Sequence, residues 1–184
     1  TGYGNLCDRI IAPSESVTDV LRDRGVRTPI HVIPTGVDTR RFGQGDGIAF
    51  RRKYGIPPDG QVAGYVGRLA PEKNLPLLAE AIRRWMGKTA QGHFLVVGSG
   101  SSADNIRRTF AAEDLAGRLH LVGSLEGQSL VDAYHAMDAF VFASYSETQG
   151  MVLAEAMAAG KPVVAVDAPG VREVVRDGQN GRLL

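Results

Sequence analysis

One cysteine, Cys7, is too few for a disulfide framework or a cysteine zinc cluster, and it fits a reducing compartment, so the cytoplasm is the expected location. The four histidines, His31, His93, His120 and His135, show no metal-ligand spacing. Neither sign of charge is in excess: 21 Lys and Arg face 20 Asp and Glu, a formal net charge of +1. That balance excludes a broad nucleic-acid surface but leaves room for a small cationic pocket. No apolar run approaches the roughly 20 residues that a membrane-spanning helix needs. No signal peptide is visible, although the chain starts abruptly at Thr1 and a leader upstream stays open. There is no G-x-S-x-G nucleophile elbow and no Asp-x-Asp metal motif. Internal repeats, low-complexity tracts and long charge runs are also missing.

Strands and helices in alternation are what the chain does have. Hydrophobic residues make up 43% and charged residues 22%, the globular range, and 184 residues suit one domain plus a flanking piece. Residues 9–13 read as a short strand. Ser14 can cap a helix through about Arg24, with Val17, Val20 and Leu21 at helical spacing. Residues 30–33 form another strand and residues 34–38 a turn. Gly43-Gln44-Gly45-Asp46-Gly47 suits a flexible or irregular connection. A short helix is expected over 50–54, a strand over 62–66 and a loop over 67–73. Asn74 is the expected N-cap of the next helix, whose buried stripe is Leu75, Leu78, Ala79, Ile82 and Met86. Strands follow at 93–97, 119–122, 139–142 and 162–166, with helices over 104 to about 114, 128–137 and 151–159. A helical turn over 171–175 and a strand from Gly181 close the chain. This alternation predicts an α/β fold, a Rossmann-like doubly wound parallel sheet with helices on both faces.

Three sets of residues carry chemistry. Glu147 lies in the loop before the helix that Gly150 opens, and Glu155 lies inside that helix, eight residues on. Ionised Glu accepts hydrogen bonds and donates none, which suits a ligand rich in hydroxyls. A helix start just past a strand's carboxyl end is where open α/β sheets bind ligands, and its free N–H groups favour anions. The plainer alternative is a loop charge and a solvated helix face. Arg68 and Lys73 form the second set, in or beside one strand-to-helix loop. They suit phosphate, which Arg can grip bidentately. As plain surface cations, either could pair with Glu72. Third, Gly98-Ser99-Gly100-Ser101-Ser102-Ala103 fits the dinucleotide pattern G-x-G-x-x-A, which points to an NAD enzyme. That pattern expects an acidic residue at the end of the next strand. The strand instead ends at Gly123-Ser124, with Glu126 only later, so a tight turn close to a ligand is the better reading.

The spacing Glu147, seven residues, Glu155, followed by E-A-M-A-A-G-K-P-V-V-A and a Pro-Gly, resembles the Glu-x7-Glu element of retaining glycosyltransferases of the GT-B architecture, in particular the nucleotide-sugar-dependent transferases of family 4. Gly67-Arg68 with Glu72-Lys73 resembles their Gly-Arg…Glu-Lys element, and Gly98-Ser99-Gly100 their Gly-x-Gly. Val122-Gly123-Ser124-Leu125 is similar to the loop that receives the base through backbone groups. Asp8, Ser14, Pro34, Gly36, Val37, Asp38 and Phe42 match the passage that precedes the interdomain linker. The resemblance runs from Asp8 to Leu184. One departure is Thr148-Gln149, where Gly-Phe or Pro-Phe is common; the polar pair occurs in some glycolipid-forming members.

The resemblance implies one half of a GT-B enzyme. Residues 1–45 would be the end of the N-terminal acceptor domain and the linker. Residues 46–184 would be the C-terminal nucleotide-sugar-binding domain, incomplete at its C-terminus. Arg68 and Lys73 would hold the donor's diphosphate and Glu155 the ribose hydroxyls. Glu147, with the backbone N–H groups of Thr148, Gln149 and Gly150, would hold the donor sugar, and Gly67, Gly98, Gly100 and Gly123 would line the donor site. Glu147, Arg68 and Lys73 form the catalytic set. No metal or obligatory cofactor is implied; the donor is a UDP- or GDP-sugar. The implied partners are the missing acceptor domain and a glycan or glycolipid acceptor at a membrane surface, with no nucleic acid. That makes the full-length protein cytoplasmic or peripheral to a membrane. Two alternatives stay open. One is a GT-B relative with epimerase or phosphorylase-like chemistry, although no motif marks a pyridoxal lysine. The other is a binding module without turnover, which is the behaviour expected of this chain alone.

Overall fold

In the computed structural model, residues 2–111 and 115–184 are described. The chain begins with a one-turn 3-10 helix at Gly4–Leu6, then β1 (Ile10–Ala12), α1 (Glu15–Asp23) and β2 (Ile30–Val32). β1 and β2 pair in parallel as a small sheet of their own. Ser14 caps α1 as its sequence suggests, its Oγ accepting from the Val17 N–H at 3.3 Å. Two short helices follow, α2 (Thr39–Phe42) and α3 (Gly47–Lys53). Asp38 and Asp46 cap them, accepting from the N–H groups of Arg41 and Ala49.

The main sheet has six strands: β3 (Gln61–Val66), β4 (Gly92–Val97), β5 (Leu119–Leu121), β6 (Ala139–Phe142), β7 (Val163–Ala165) and β8 (Arg182–Leu183). All neighbours are parallel, in the order β5-β4-β3-β6-β7-β8. The helices between them are α4 (Leu75–Lys88), α5 (Ala103–Phe110), α6 (Gly127–Ala136), α7 (Met151–Ala158) and the short α8 (Pro169–Arg172). The chain therefore builds outward from β3 to β5, returns to the centre, and builds outward the other way from β6 to β8. Right-handed crossovers put α4 and α5 on one face of the sheet and α6 and α7 on the other. β4 is buried along its whole length, as a central strand covered on both faces must be. Tyr65, Phe94, Phe110, Tyr134, Phe140 and Leu153 are among the side chains sealed in the core.

Several local expectations change. Asn74 does not cap α4 with its side chain; its φ is +52°, a left-handed kink that Asn tolerates better than most residues. The chain enters this kink from a 3-10 turn at Pro71–Lys73 rather than from an open loop. Residues 44–46 form the irregular connection between α2 and α3, and the segment is closely packed. A side chain on Gly45 or Gly47 would overlap His135 of α6, so these glycines let the segment press against that helix. There the His135 ring donates from Nε2 to the Phe42 carbonyl at 2.8 Å, since a carbonyl can only accept. α8 starts two residues earlier than the expected turn, and α5 ends at Phe110. The expected extension of α5 to about Asp114 falls on residues outside those described.

Candidate functional site

The order in which strands are added reverses between the parallel neighbours β3 and β6, and a crevice at the carboxyl ends of such strands is where open α/β sheets take ligands. The loop after β3 carries Gly67, Arg68 and Lys73. The loop after β6 carries Glu147, Thr148 and Gln149, and Gly150 caps α7. The fold thus sets two of the three motif sets side by side, and they touch. Lys73 Nζ donates to Glu147 Oε2 at 3.0 Å, with side chains only 15% and 18% exposed. Arg68 pairs with Glu72 instead, Nη2 to Oε1 at 2.6 Å, on the open side of the loop. The choice of partner for Glu72 is made by the 3-10 turn, which brings residues 68 and 72 together. Two cations and two carboxylates therefore balance, and each cation keeps further N–H donors for an anionic ligand.

Neighbouring groups hold this loop pair in shape. Tyr65 OH donates to the Arg68 carbonyl at 3.2 Å. Burial, reinforced by the negative charges of Glu147 and Glu72, pushes the Tyr65 phenol far up, so it stays a protonated donor. Ser146 Oγ donates to the Glu72 carbonyl at 3.1 Å and ties the two loops together.

The third motif set continues the same edge. Gly67 N–H donates to the Val97 carbonyl, Gly98 N–H to the Gly123 carbonyl and Leu69 N–H to the Ser99 carbonyl, at 3.0, 2.8 and 2.9 Å. The loops after β3, β4 and β5 are stitched into one rim. Gly98 and Gly100 have φ of +143° and +149°, and a Cβ on either would overlap a backbone oxygen of the β3 loop, Gly67 or Leu69. The glycine pattern is thus explained by close backbone approach. A cleft of about 390 Å³ opens over this rim, lined in part by Gly67, Arg68, Gly98, Gly100, Ser124 and Leu125. A larger cavity of about 600 Å³, lined in part by Gly47, Arg51, Pro57 and Asp138, lies at the amino ends of β3 and β6, on the opposite edge.

Glu155 sits in α7, half-buried, and none of its bonds join it to Arg68 or Lys73. Its Oε2 accepts from Tyr134 OH of α6 at 2.7 Å. Burial raises the Glu155 carboxyl above the usual range, while the Tyr134 bond and the nearby Arg41 charge pull it part of the way back. Among the described residues its other oxygen, Oε1, makes no hydrogen bond, which leaves an acceptor for a ligand hydroxyl. Tyr134 is buried on α6, and the sequence motifs give it no place at the site. Ser14, read from the sequence as a helix cap and part of the passage before the linker, also reaches the site: its Oγ donates to the Thr148 carbonyl at 2.6 Å besides capping α1. Periodicity carries no signal for either bond; for Ser14 the hints are its N-cap position and its place in the passage that resembles the family's approach to the linker. Among the described residues no helix is long and apolar enough to cross a membrane.

Comparison with known proteins gives the family and the fold. Residues 47–184 match the family described as glycosyl transferases group 1, and residues 2–41 match the one described as glycosyltransferase family 4. The chain is 35% identical over 188 residues to a D-inositol 3-phosphate glycosyltransferase of Stackebrandtia nassauensis, covering 96% of this chain and 42% of that protein. It is also 35% identical over 181 residues to a GDP-mannose-dependent alpha-mannosyltransferase of Mycobacterium tuberculosis, covering 97% of this chain and 44% of that one. The chain thus spans less than half the length of these relatives. Among solved structures, Anabaena Alr3699/HepE in complex with UDP-glucose superposes with a TM-score of 0.86 at 26% identity, over 97% of this chain and 50% of that one. The sheet is the Rossmann-like fold of one half of a GT-B glycosyltransferase. The chain belongs to the glycosyl transferases group 1 family.

Proposed function

We propose that this chain is the donor-binding half of a retaining hexosyltransferase, which moves a sugar from a UDP- or GDP-sugar to a glycan or glycolipid. The observation that carries the reading is the Lys73–Glu147 pair at 3.0 Å, held shielded from water where the strand order reverses. A cation and a sugar-gripping carboxylate in contact are what the reaction needs at the joint between diphosphate and sugar. The relatives support the donor class: one is named for GDP-mannose and another holds UDP-glucose. We assign residues 1–45 to the end of an acceptor domain and its linker, and residues 46–184 to the donor domain. The full-length protein is proposed to work in the cytoplasm, at a membrane surface where its acceptor is a glycolipid.

In the transfer step the sugar C1–O bond breaks, its electron pair goes to the departing diphosphate oxygen, and the sugar becomes oxocarbenium-like. Lys73 and Arg68 stabilise the growing negative charge more than the ground state, which lowers the barrier. Glu147 and the N–H groups of Thr148, Gln149 and Gly150 hold the sugar hydroxyls. Glu155 accepts from the ribose through Oε1 while Tyr134 holds Oε2. The acceptor hydroxyl attacks from the face that the diphosphate leaves, gives up its proton to that diphosphate, and configuration is retained.

Alignment of donor with acceptor can supply roughly 7–11 kcal/mol of barrier reduction, and acceptor groups on another domain are not part of this chain. Weak, salt-sensitive binding of UDP or GDP without sugar transfer is the expected behaviour. Calorimetry at low and high salt and a labelled-donor assay test both halves. Turnover by this chain would mean that the catalytic groups are misassigned, and absence of nucleotide binding would remove the donor-half reading.

A further inference from the structure

Ser14 belongs to the N-terminal segment, yet its side chain is 2% exposed and reaches the donor-sugar loop across 134 residues of sequence. Its hydroxyl has one proton, and the Thr148 carbonyl at 2.6 Å can only accept, so the proton is committed there. The oxygen's lone pairs accept from the Val17 N–H at 3.3 Å, and the Ser16 hydroxyl, 3.0 Å away, must be the donor of its pair. Beside it, the Ser16 N–H donates to Glu173 Oε1 at 3.0 Å, so the start of α1 is anchored to the donor domain by two independent bonds. Gln149 Nε2 reaches back to the Thr35 carbonyl at 3.3 Å. The loop carrying Glu147 is thus bonded on one side to Lys73 and on the other to the N-terminal segment.

We propose that Ser14 is a positioning residue for the donor sugar. It fixes the Thr148 carbonyl and so the direction in which Glu147 and the N–H groups of Gln149 and Gly150 face the sugar. The nucleotide is held by Arg68, Lys73 and Glu155, none of which bonds to Ser14 or to Thr148. Docking of α1 therefore sets how well the sugar is held, independently of the nucleotide. The proposal rests on the donor-half reading.

The test is calorimetry on the 184-residue chain with UDP, UDP-glucose, GDP and GDP-mannose. Ser14→Ala should weaken the sugar-bearing ligand by about two- to tenfold, the size of one net hydrogen bond, and the bare nucleoside diphosphate by less than about twofold. Ser14→Thr keeps the hydroxyl and should restore the difference. Asp19→Gly, in the exposed interior of α1, destabilises that helix about as much as a lost cap but touches no loop residue. It should leave both affinities unchanged. Equal losses for sugar-bearing and bare ligands, or the same loss in Asp19→Gly, would overturn the positioning role and leave the donor half standing. A wild-type chain that binds none of the four ligands would overturn both.

Discussion

Replacing Glu155 by glutamine should move stability and binding in opposite directions. The carboxyl is half-buried, and burial raises its pKa above the unfolded value despite the Tyr134 bond and Arg41. Linkage fixes the sign. A carboxyl whose folded pKa is raised favours the fold below its unfolded pKa, and that contribution is lost as pH rises through the folded pKa. At neutral pH the ionised side chain is therefore a cost. A glutamine amide would keep an acceptor for Tyr134 OH and remove the buried charge, so the Glu155→Gln variant should melt higher at pH 7. For a chain of this length each 1 kcal/mol corresponds to about 2–4 °C. The advantage should shrink as pH falls through the raised pKa, because wild-type Glu155 then becomes neutral itself. Binding goes the other way. A ribose hydroxyl bonded to a carboxylate is worth about 1.5–3 kcal/mol and one bonded to a neutral amide about 0.5–1.5, a difference of about 1–1.5 kcal/mol or roughly five- to tenfold in Kd. Thermal melts across pH 5–8 and titrations with UDP and GDP measure both effects. A lower melting temperature at neutral pH, or an unchanged Kd for the nucleotide the wild type binds, would refute the reasoning.

Three further outcomes are expected at the same rim. Lys73→Met leaves Glu147 shielded and unpaired, so it should destabilise more than the Lys73→Met/Glu147→Gln double variant, with a coupling of about 1–3 kcal/mol in urea unfolding; additive effects would mean that the pair is not coupled. Gly98→Ala forces a Cβ onto the Gly67 carbonyl at a φ of +143° and should cost at least about 2 kcal/mol, read as a lowered melting temperature. Glu72→Gln releases Arg68 from an exposed pair, worth about 0.2–1 kcal/mol, so affinity for UDP or GDP should rise by up to about fivefold at low salt and less at high salt.

Local patterns made much of the fold legible. Apolar runs such as 62–66 and 93–97, each followed by glycines and a helical stripe, place the strands and the loops at their carboxyl ends. The residue types in those loops name the chemistry: cations after β3, a carboxylate after β6, glycines after β4. Bonds between distant segments leave no such pattern. Helical spacing puts Tyr134 on the inner face of α6 but cannot aim its hydroxyl at Glu155. Ser14 is visible as a helix cap, while its second bond lies 134 residues away. The Arg68–Glu72 pairing depends on a one-turn 3-10 helix that the Pro71 loop does not announce. The glycines at 45 and 47 suit a flexible or irregular connection by composition and prove to be contact points with His135, because composition does not separate flexibility from close approach. Asp46, whose side chain accepts from Ala49 N–H three residues on, is the signal for α3 within that stretch.

The central claim is that nucleotide binds at the carboxyl edge, where β3 and β6 part. An amide-resolved NMR titration of this chain with UDP and with GDP tests it most directly. Binding there should shift the amides of residues 67–73, 98–100, 123–125 and 147–155. Shifts confined to residues 47–58 and Asp138, around the larger cavity at the amino edge, would contradict it.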